Sequence, residues 1–343
     1  MNKLVEIKNL EISFQDFHGA FKAVRDVSFD IYEGEALALV GESGCGKSVT
    51  AKSLLGLIPE KDGSIAEKSE ILYQGENILT YSKKRWKEYC GQECGMIFQD
   101  AMAALNPTVK IGDQIAENLR VHQKISRKAA KEQAIAALRM AGIPQPEIRA
   151  EQYPHEFSGG MRQRSMIAMA MICQPRLLIA DEPTTALDVT IQAQIMELMK
   201  SLKEKNRMSL LLITHDLGVV AGIADRMAVM YAGQIVEIGN SRDIYYRTRH
   251  PYTYSLLKAV PSLNGSHGRR LEAIDGMPPE AGDILKGCPF AARCRYCMQI
   301  CIEECPPKYE FEDGHFATCW LHDPDADISD CKFQTGGNLC NQE

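Results

Sequence analysis

A glycine-rich octapeptide directly behind a short apolar run constrains this chain more than any other feature. The apolar run Ala36-Leu-Ala-Leu-Val40 is followed at once by Gly41-Glu-Ser-Gly-Cys-Gly-Lys-Ser48. The octapeptide fits the pattern G-x-x-x-x-G-K-[ST], in which glycines let backbone N–H groups converge on phosphate oxygens. A continuous apolar run bounded by glycine predicts a strand that is buried on both faces. The sequence therefore predicts a strand, a phosphate-binding loop and a helix over about 47–57.

Different residues of this loop are expected to bind different parts of a nucleotide and its Mg²⁺. Lys47 supplies a positive charge for the phosphates, and the hydroxyl of Ser48 can bind Mg²⁺. A glycine loop that merely turns the chain is the alternative, which the preceding strand and the following helix disfavour. The expected nucleotide contacts are Gly41, Glu42, Ser43, Gly44, Cys45, Gly46, Lys47, Ser48 and Val49.

Two carboxylates end a second apolar run later in the chain, Leu177-Leu-Ile-Ala-Asp181-Glu182. Open α/β folds bind their ligands at the carboxyl ends of the strands. Asp181 can therefore bind Mg²⁺, and Glu182 can orient and polarise a water for attack on a γ-phosphate. An Asp-Glu pair alone is more often a solvated turn, but beside a phosphate loop it predicts nucleoside triphosphate hydrolysis.

Strands and helices alternate over most of the chain. Strands are predicted at 4–12, 27–31, 36–40, 176–180 and 209–214, and helices at 127–141, 159–173 and 191–205. This alternation predicts an α/β fold with a mostly parallel sheet, and the region 82–148 reads as a helical insertion. Beyond residue 250, Pro, Gly and Cys increase. The prediction is an ATPase domain at 1–250, with a helical part at about 100–175, and a small extension at 251–343.

The charged and apolar composition limits the kind of partner that this protein can be expected to bind. Lys and Arg number 39 against 45 Asp and Glu, so the net charge is −6, which argues against a nucleic-acid backbone as the main partner. The apolar content of 45% excludes a disordered chain. The sequence has no apolar stretch of membrane-spanning length, and its first residues lack a secretory apolar core. We expect a cytoplasmic protein, which could lie against a membrane through a partner.

A third motif completes a resemblance to a known family. Phe157-Ser158-Gly159-Gly160-Met161 precedes the acidic pair, and with the two motifs above it resembles the signature of the ATP-binding-cassette ATPases. Ser158 can cap a helix whose first N–H groups face an anion. The resemblance implies a P-loop NTPase core with a mostly parallel sheet, an antiparallel β part and a helical signature subdomain. It also implies that Ser158, Gly159 and Gly160 contact the ATP held by a partner's phosphate loop.

The same resemblance implies further roles. Gln99 is similar to the glutamine that senses Mg²⁺ and contacts the transport domain, and Asp188 lies in the loop that crosses the dimer interface. His215 matches the histidine that contacts the γ-phosphate. Glu182, His215 and Gln99 are thus the implied catalytic set, and Ser48, Gln99 and Asp181 the implied magnesium ligands.

Two positions are less regular. An aromatic residue near the N-terminus stacks on adenine in this family, and we assign Phe14, with Phe17 and Phe21 as alternatives. Met161 stands where the family signature usually has Gln, which affects a side-chain contact but not the backbone contacts.

Several strings resemble the ATPase subunits of dipeptide and oligopeptide importers. Examples are Ala104-Leu-Asn-Pro107 and His250-Pro-Tyr-Thr-Tyr-Ser-Leu-Leu257. The resemblance implies a peripheral ATPase on the cytoplasmic face of the membrane. Its partners would be a second, paralogous ATPase subunit, two transmembrane permease subunits and, indirectly, an extracytoplasmic solute-binding protein. Nickel and opine importers share these strings, and a soluble cassette ATPase or a non-hydrolysing module is the alternative from another class.

Cysteines crowd the C-terminal region. Of the 12 cysteines, eight lie at 288, 294, 297, 301, 305, 319, 331 and 340. In a reducing compartment such a cluster favours a metal site over disulfides. Four thiolates suit an iron–sulfur cluster or structural zinc, and unliganded thiols are a third possibility. The importer resemblance implies a [4Fe–4S] cluster on Cys288, Cys294, Cys301 and Cys319, which would staple a poorly cored segment.

Overall fold

The structure, a computed structural model, describes residues 2–16, 19–185, 187–259, 274–280, 282–283 and 285–326. Three predictions lie outside the described residues: Phe17 as an adenine-stacking candidate, and the positions of Cys331 and Cys340.

The secondary structure alternates as predicted through the middle of the chain. The strands are β1 (Lys3–Asp16), β2 (Gly19–Tyr32), β3 (Ala36–Val40), β4 (Gly63–Ile65), β5 (Glu70–Tyr73), β6 (Glu76–Asn77), β7 (Cys94–Ile97), β8 (Leu177–Asp181), β9 (Ser209–Thr214), β10 (Arg226–Tyr231), β11 (Gln234–Asn240), β12 (Tyr309–Glu310) and β13 (Phe316–Ala317). The α-helices are α1 (Lys47–Ser53), α2 (Lys83–Glu88), α3 (Ala101–Ala104), α4 (Ile111–His122), α5 (Arg127–Met140), α6 (Pro146–Arg149), α7 (Gly159–Met171), α8 (Val189–Asn206), α9 (Leu217–Val220), α10 (Ser241–Tyr246), α11 (Pro251–Lys258) and α12 (Gln299–Glu303).

Several predicted elements differ in length from the observed ones, and α1 and β2 show the physical reasons. Helix α1 ends at Ser53 rather than near 57, because the chain turns through Gly56, whose φ is +64°. Strand β2 begins at Gly19 rather than at Val27, and its first residues are not buried. Without a buried face, that half of the strand carries no alternation of apolar residues for a sequence to reveal.

The chain divides into two units that interleave along the sequence. Unit 1 comprises Met1–Val5, Ile31–Ala36 and Leu72–Ile213, and unit 2 comprises Glu6–Asp30, Leu37–Ile71 and Thr214–Glu343.

Unit 1 contains the parallel strands β7, β8 and β9. Cys94 lies opposite Leu177, and Leu177 lies opposite Ser209. Every residue of these three strands is buried, as expected where both faces of a parallel sheet are covered. The predicted parallel core is confirmed, and β8 delivers Asp181 to the carboxyl end of its strand.

Unit 1 also contains a helical region with its own core. Helices α4, α5 and α7 enclose the cluster, and α5 contributes its residues at helical spacing because one face of it is apolar. Ser126 caps α5 by accepting the N–H of Ala129 at 3.2 Å. The buried cluster includes Leu105, Ile111, Ile115, Leu119, Ala130, Ala134, Ala137, Leu138 and Phe157. A helical subdomain is therefore present, while the predicted domain boundaries stay predictions.

Unit 2 combines parallel and antiparallel pairing. Strand β3 pairs in parallel with β10, which pairs antiparallel with β11, and β13 and β12 continue the antiparallel order. Strand β1 pairs antiparallel with β4. The predicted antiparallel part is confirmed. Tyr252 and Phe290 lie in the same buried cluster as Val40 of β3 and Val229 of β10, so the chain beyond residue 250 shares the core beneath the phosphate loop.

Among the described residues, no helix has the combination of length and apolar character that a membrane crossing needs.

The core of the helical region generates a stability prediction. Ile115 of α4 is fully buried in the helical cluster, whereas Val121 of the same helix is 44% exposed. Ile115→Ala is expected to lower the free energy of unfolding by about 2–5 kcal/mol, because it leaves a cavity. Val121→Ala should cost less than about 1 kcal/mol. Urea titration of the full chain measures both, and equal losses would contradict the assignment of this core.

Candidate functional site

The phosphate loop of unit 2 is confined by backbone on both sides. A Cβ on Gly41 would lie 2.1 Å from the carbonyl oxygen of Met230, and Gly41 has a φ of +154°. A Cβ on Gly46 would lie 2.6 Å from the carbonyl oxygen of Ala23, at a φ of +104°. Neither position has room for a side chain. The two glycines therefore let the loop lie directly against β10 and β2.

Lys47 turns back into the loop that precedes it. Its Nζ donates to the carbonyl oxygens of Gly41 at 2.9 Å and Glu42 at 2.8 Å, and it lies 3.8 Å from the sulfur of Cys45. The lysine is 4% exposed. Burial raises the pKa of the Cys45 thiol, which keeps it protonated and gives it no thiolate chemistry. The loop is thus a closed backbone turn around the ammonium group of Lys47.

Residues distant in sequence hold the second residue of the loop. The backbone N–H of Glu42 donates to the hydroxyl of Tyr252 at 2.9 Å. The Arg293 guanidinium donates to both carboxylate oxygens of Glu42, at 2.6 and 3.0 Å. The sequence carries no signal for either contact. Tyr252 and Arg293 lie 210 and 251 positions away from Glu42, and no local pattern connects them; only the string around Tyr252 drew attention, without a role.

In unit 1 the structure brings Gln99 and Glu182 together. The Gln99 amide Nε2 donates to Glu182 Oε2 at 2.8 Å, and the hydroxyl of Thr185 donates to the same oxygen at 3.0 Å. Glu182 has a φ of +46°, and its N–H donates to the carbonyl of Ile213 at 2.9 Å. Asp181 is 3% exposed at the end of β8. A carboxylate held by two donors is fixed in direction, as a residue that orients a water must be.

Two capped helix starts lie side by side on unit 1. Ser158 Oγ accepts the N–H of Met161 at 3.4 Å at the start of α7, and Asp188 Oδ1 accepts the N–H of Ile191 at 2.9 Å at the start of α8. A Cβ on Gly160 would lie 2.9 Å from Ile191 Cγ2, so the signature turn packs directly against α8. Ser158, Gly159 and Asp188 are exposed. The position usually held by Gln carries Met161, whose side chain packs on the helical cluster.

The remaining predicted nucleotide residues lie in unit 2. His215 follows β9 and is exposed, and Ser48 is half-buried in α1. Phe14 of β1 lies opposite Gly63 of β4, with its ring centroid 5.9 Å from that of Phe21. Both rings are half-buried, so the contacts do not distinguish them as adenine platforms.

Four cysteines of unit 2 line one small cavity. Cys288, Cys294, Cys301 and Cys319 surround a space of about 10 Å³ together with His250, Phe290 and Trp320. Cys297 and Cys305 are exposed. Burial raises the pKa of Cys288 to about 11 and of Cys294 to about 12, and nearby thiols raise both further. Over the described part of the chain, no group of three or more His, Cys, Asp or Glu stands ready to hold a metal ion. The four predicted ligands therefore line one cavity, and their geometry alone does not identify a metal site.

Comparisons with known proteins agree with these features. Residues 24–185 match the ABC transporter family, and residues 236–301 match the family described as oligopeptide/dipeptide transporter, C-terminal region. The chain is 53% identical to the oligopeptide transport ATP-binding protein OppD of Bacillus subtilis, over 95% of this chain and 91% of that protein. It is 51% identical to the dipeptide transport ATP-binding protein DppD of the same organism, over 95% and 97%.

A solved structure shares the fold. It is the dimeric, post-hydrolysis state of an ATP-binding cassette bound to ADP and Pi, with a TM-score of 0.62 at 25% identity. The match covers 69% of this chain and 99% of that one.

The confinement of the loop generates a second prediction. Gly41→Ala is expected to lower the free energy of unfolding by about 2–3 kcal/mol, because its Cβ meets a backbone oxygen and φ is unfavourable. The matched control is Gly44→Ala, where φ is +80° but nothing lies within 4 Å of the added Cβ. It should cost about 1 kcal/mol. Denaturant unfolding of the two variants compares them, and a smaller loss at Gly41 than at Gly44 would refute the tight fit against β10.

Proposed function

The chain belongs to the ATP-binding cassette family of transporter ATPases, and we propose that it is the ATP-hydrolysing subunit of an importer for dipeptides or oligopeptides. The observation that carries the proposal is the similarity to peptide-transport ATP-binding proteins over 95% of the chain. That similarity extends beyond the ATPase motifs, because residues 236–301 match the C-terminal region of oligopeptide and dipeptide transporters. Both of these relatives are named for peptide transport, which favours peptides over nickel or another solute.

Each nucleotide-binding residue has a role in this proposal. The loop Gly41–Val49, including the ammonium group of Lys47, binds the phosphates, and Phe14 stacks on adenine. Ser48, Gln99 and Asp181 hold Mg²⁺, which neutralises phosphate charge when bound. Glu182 orients the attacking water and accepts its proton, and His215 contacts the γ-phosphate. The two hydrogen bonds from Gln99 and Thr185 to Glu182 support its role, because they fix the direction of the carboxylate.

The proposed assembly is a pair of ATPase subunits. Each ATP is held by one subunit's loop and by the other's Ser158, Gly159 and Gly160, while Asp188 lies at the interface. The exposure of Ser158, Gly159 and Asp188 at two adjacent capped helix starts supports this, since helix N-termini favour anions. The ATP contacts differ between the open and the closed pair of ATPase subunits, and this difference would then drive transport.

We place this pair on the cytoplasmic face of the membrane. The second ATPase is a paralogue, and the other partners are two transmembrane permease subunits and, indirectly, an extracytoplasmic solute-binding protein. Residues 1–250 form the ATPase domain, with a helical part at about 100–175, and residues 251–343 form the extension. The separate core of α4, α5 and α7 supports the helical part of this division.

For the cysteines we propose a [4Fe–4S] cluster on Cys288, Cys294, Cys301 and Cys319, with zinc as the alternative. The convergence of four thiols on one enclosed cavity supports the ligand set. Four thiolates are the usual ligands of such clusters. Bound there, the group would cross-link a segment of short helices and turns, which is a structural rather than a catalytic role.

The catalytic assignment generates a prediction. Glu182→Gln is expected to lower kcat for ATP hydrolysis at least about 100-fold, because the amide cannot accept the proton of the water. The isosteric amide can still accept the hydrogen bond from Gln99. Because ATP is bound but not hydrolysed, the closed ATP-bound dimer should accumulate, which size-exclusion chromatography measures. The control is Lys47→Ala, which should lose both ATP binding and the dimer. Normal hydrolysis by Glu182→Gln would show that another residue activates the water.

The cysteine assignment generates another. The chain purified without oxygen is expected to contain about four iron and four sulfide per chain. Cys294→Ser should lose most of the iron, whereas Cys297→Ser, at an exposed cysteine, should retain it. Elemental analysis and the visible absorption spectrum measure both. A colourless protein with one zinc per chain would replace the cluster by the zinc alternative.

A further inference from the structure

The Arg293 side chain reaches the phosphate loop from the cysteine-rich segment. Its two terminal nitrogens contact the two carboxylate oxygens of Glu42, at 2.6 and 3.0 Å, in a paired geometry. The Arg293 side chain is 5% exposed and that of Glu42 is 27% exposed. Arg293 also donates to the hydroxyl of Tyr231 at 3.3 Å and to the carbonyl of Asp275 at 3.1 Å. The guanidinium is therefore fixed by several partners, and water screens the ion pair only on its Glu42 side.

Glu42 is constrained at its backbone as well. Its N–H donates to Tyr252, and its carbonyl oxygen accepts from Lys47 at 2.8 Å. The ring of Tyr252 packs at a tilt of 57° against those of Tyr231 and Phe290, at centroid separations of 4.5 and 5.3 Å. Phe290 lies three positions before Arg293. One short stretch of the C-terminal segment therefore supplies both the ion pair and part of the aromatic support beneath the loop.

The charge of Glu42 is unfavourable where a polyanion binds. A carboxylate in a loop whose amides hold phosphates repels them, and this repulsion is strongest where solvent is partly excluded. A bidentate arginine neutralises the carboxylate and holds it in one direction. Glu42 thus needs Arg293 for the loop to keep its affinity for a nucleotide.

We propose that Arg293 is a positioning residue for ATP binding, which neutralises Glu42 and fixes the phosphate loop from the cysteine-rich segment. The proposal rests on the proposed ATPase function. It assigns to this segment a part in nucleotide affinity, beyond any group that its cysteines hold.

The turn that carries Arg293 is tied to two of the four cavity cysteines. Residues Ala291–Arg293 form a 3₁₀ turn in which the N–H of Ala291 donates to Cys288 and the N–H of Cys294 donates to Ala291. The turn is thus hydrogen-bonded to the backbone of Cys288 before it and of Cys294 after it.

A double-mutant cycle tests the proposal in the full chain. The measured quantity is the Kd for magnesium AMP-PNP, a non-hydrolysed ATP analogue, by calorimetry. Arg293→Gln is expected to raise this Kd about tenfold, and Arg293→Lys, which keeps the charge but not the fork, about threefold. In a Glu42→Gln background, Arg293→Gln should change the Kd less than about threefold, because no carboxylate is left to neutralise.

The matched control is Arg295→Gln. Arg295 lies on the same segment, but its side chain is 66% exposed and pairs with Asp275 at 3.6 Å. Its loss should leave the Kd within about twofold. The unfolding transition of each variant is recorded, and should Arg293→Gln not fold, the Arg293→Lys variant and its Glu42→Gln partner decide.

Two results would overturn the assignment. One is an unchanged Kd for Arg293→Gln; the other is an equal rise in both backgrounds, which would indicate general damage to the segment. In either case wild-type binding would leave the ATPase function intact. A wild-type chain that binds no magnesium AMP-PNP would instead overturn the proposed function, and the role of Arg293 with it.

Discussion

The contact between Gly41 and the backbone of Met230 is the constraint on which the nucleotide-binding half depends. Because β3 and β10 are parallel neighbours, the loop leaves β3 directly beside the end of β10. A side chain at Gly41 would strike the carbonyl at 2.1 Å. Glycine therefore decides how closely the loop can follow the sheet, and that closeness brings Lys47 within reach of the carbonyls of Gly41 and Glu42.

The loop is held from two directions by different kinds of interaction. The sheet side uses backbone proximity, which needs small residues and tolerates little substitution. The other side uses Tyr252 and Arg293, whose hydrogen bonds reach the N–H and the carboxylate of Glu42. In unit 1 the carboxylate of Glu182 is likewise held by hydrogen bonds from other side chains, those of Gln99 and Thr185. In both places a carboxylate is fixed by donors of which the sequence motifs contain only part.

How much the sequence could predict depended on whether the signal was local. Strands β3 and β9 were placed residue by residue, because each is a continuous apolar run between turn residues. Helix α7 was found from its serine cap and the small residues behind it, and the phosphate loop from its spacing. The first half of β2 was missed, because Val24 is the only fully buried residue of its first eight and no apolar alternation marks it.

Long-range contacts left no such signal. Tyr252 and Arg293, which hold the N–H and the carboxylate of Glu42, are more than 200 positions away, and single tyrosines and arginines give no sequence signal. The sequence does not distinguish Phe14 from Phe21 as the adenine-stacking residue, and the reason is different. The two half-buried rings lie 5.9 Å apart on neighbouring strands, and the spacing of apolar residues does not favour either.

The aromatic core that Tyr252 and Phe290 share with β3 and β10 has a consequence for dissecting the polypeptide. A chain truncated after residue 250 would keep every recognisable ATPase motif. It would lose the rings of Tyr252 and Phe290, however, and the apolar residues that they cover would be exposed. The rings of Tyr252 and Phe290 therefore belong to the core that supports the nucleotide-binding loop.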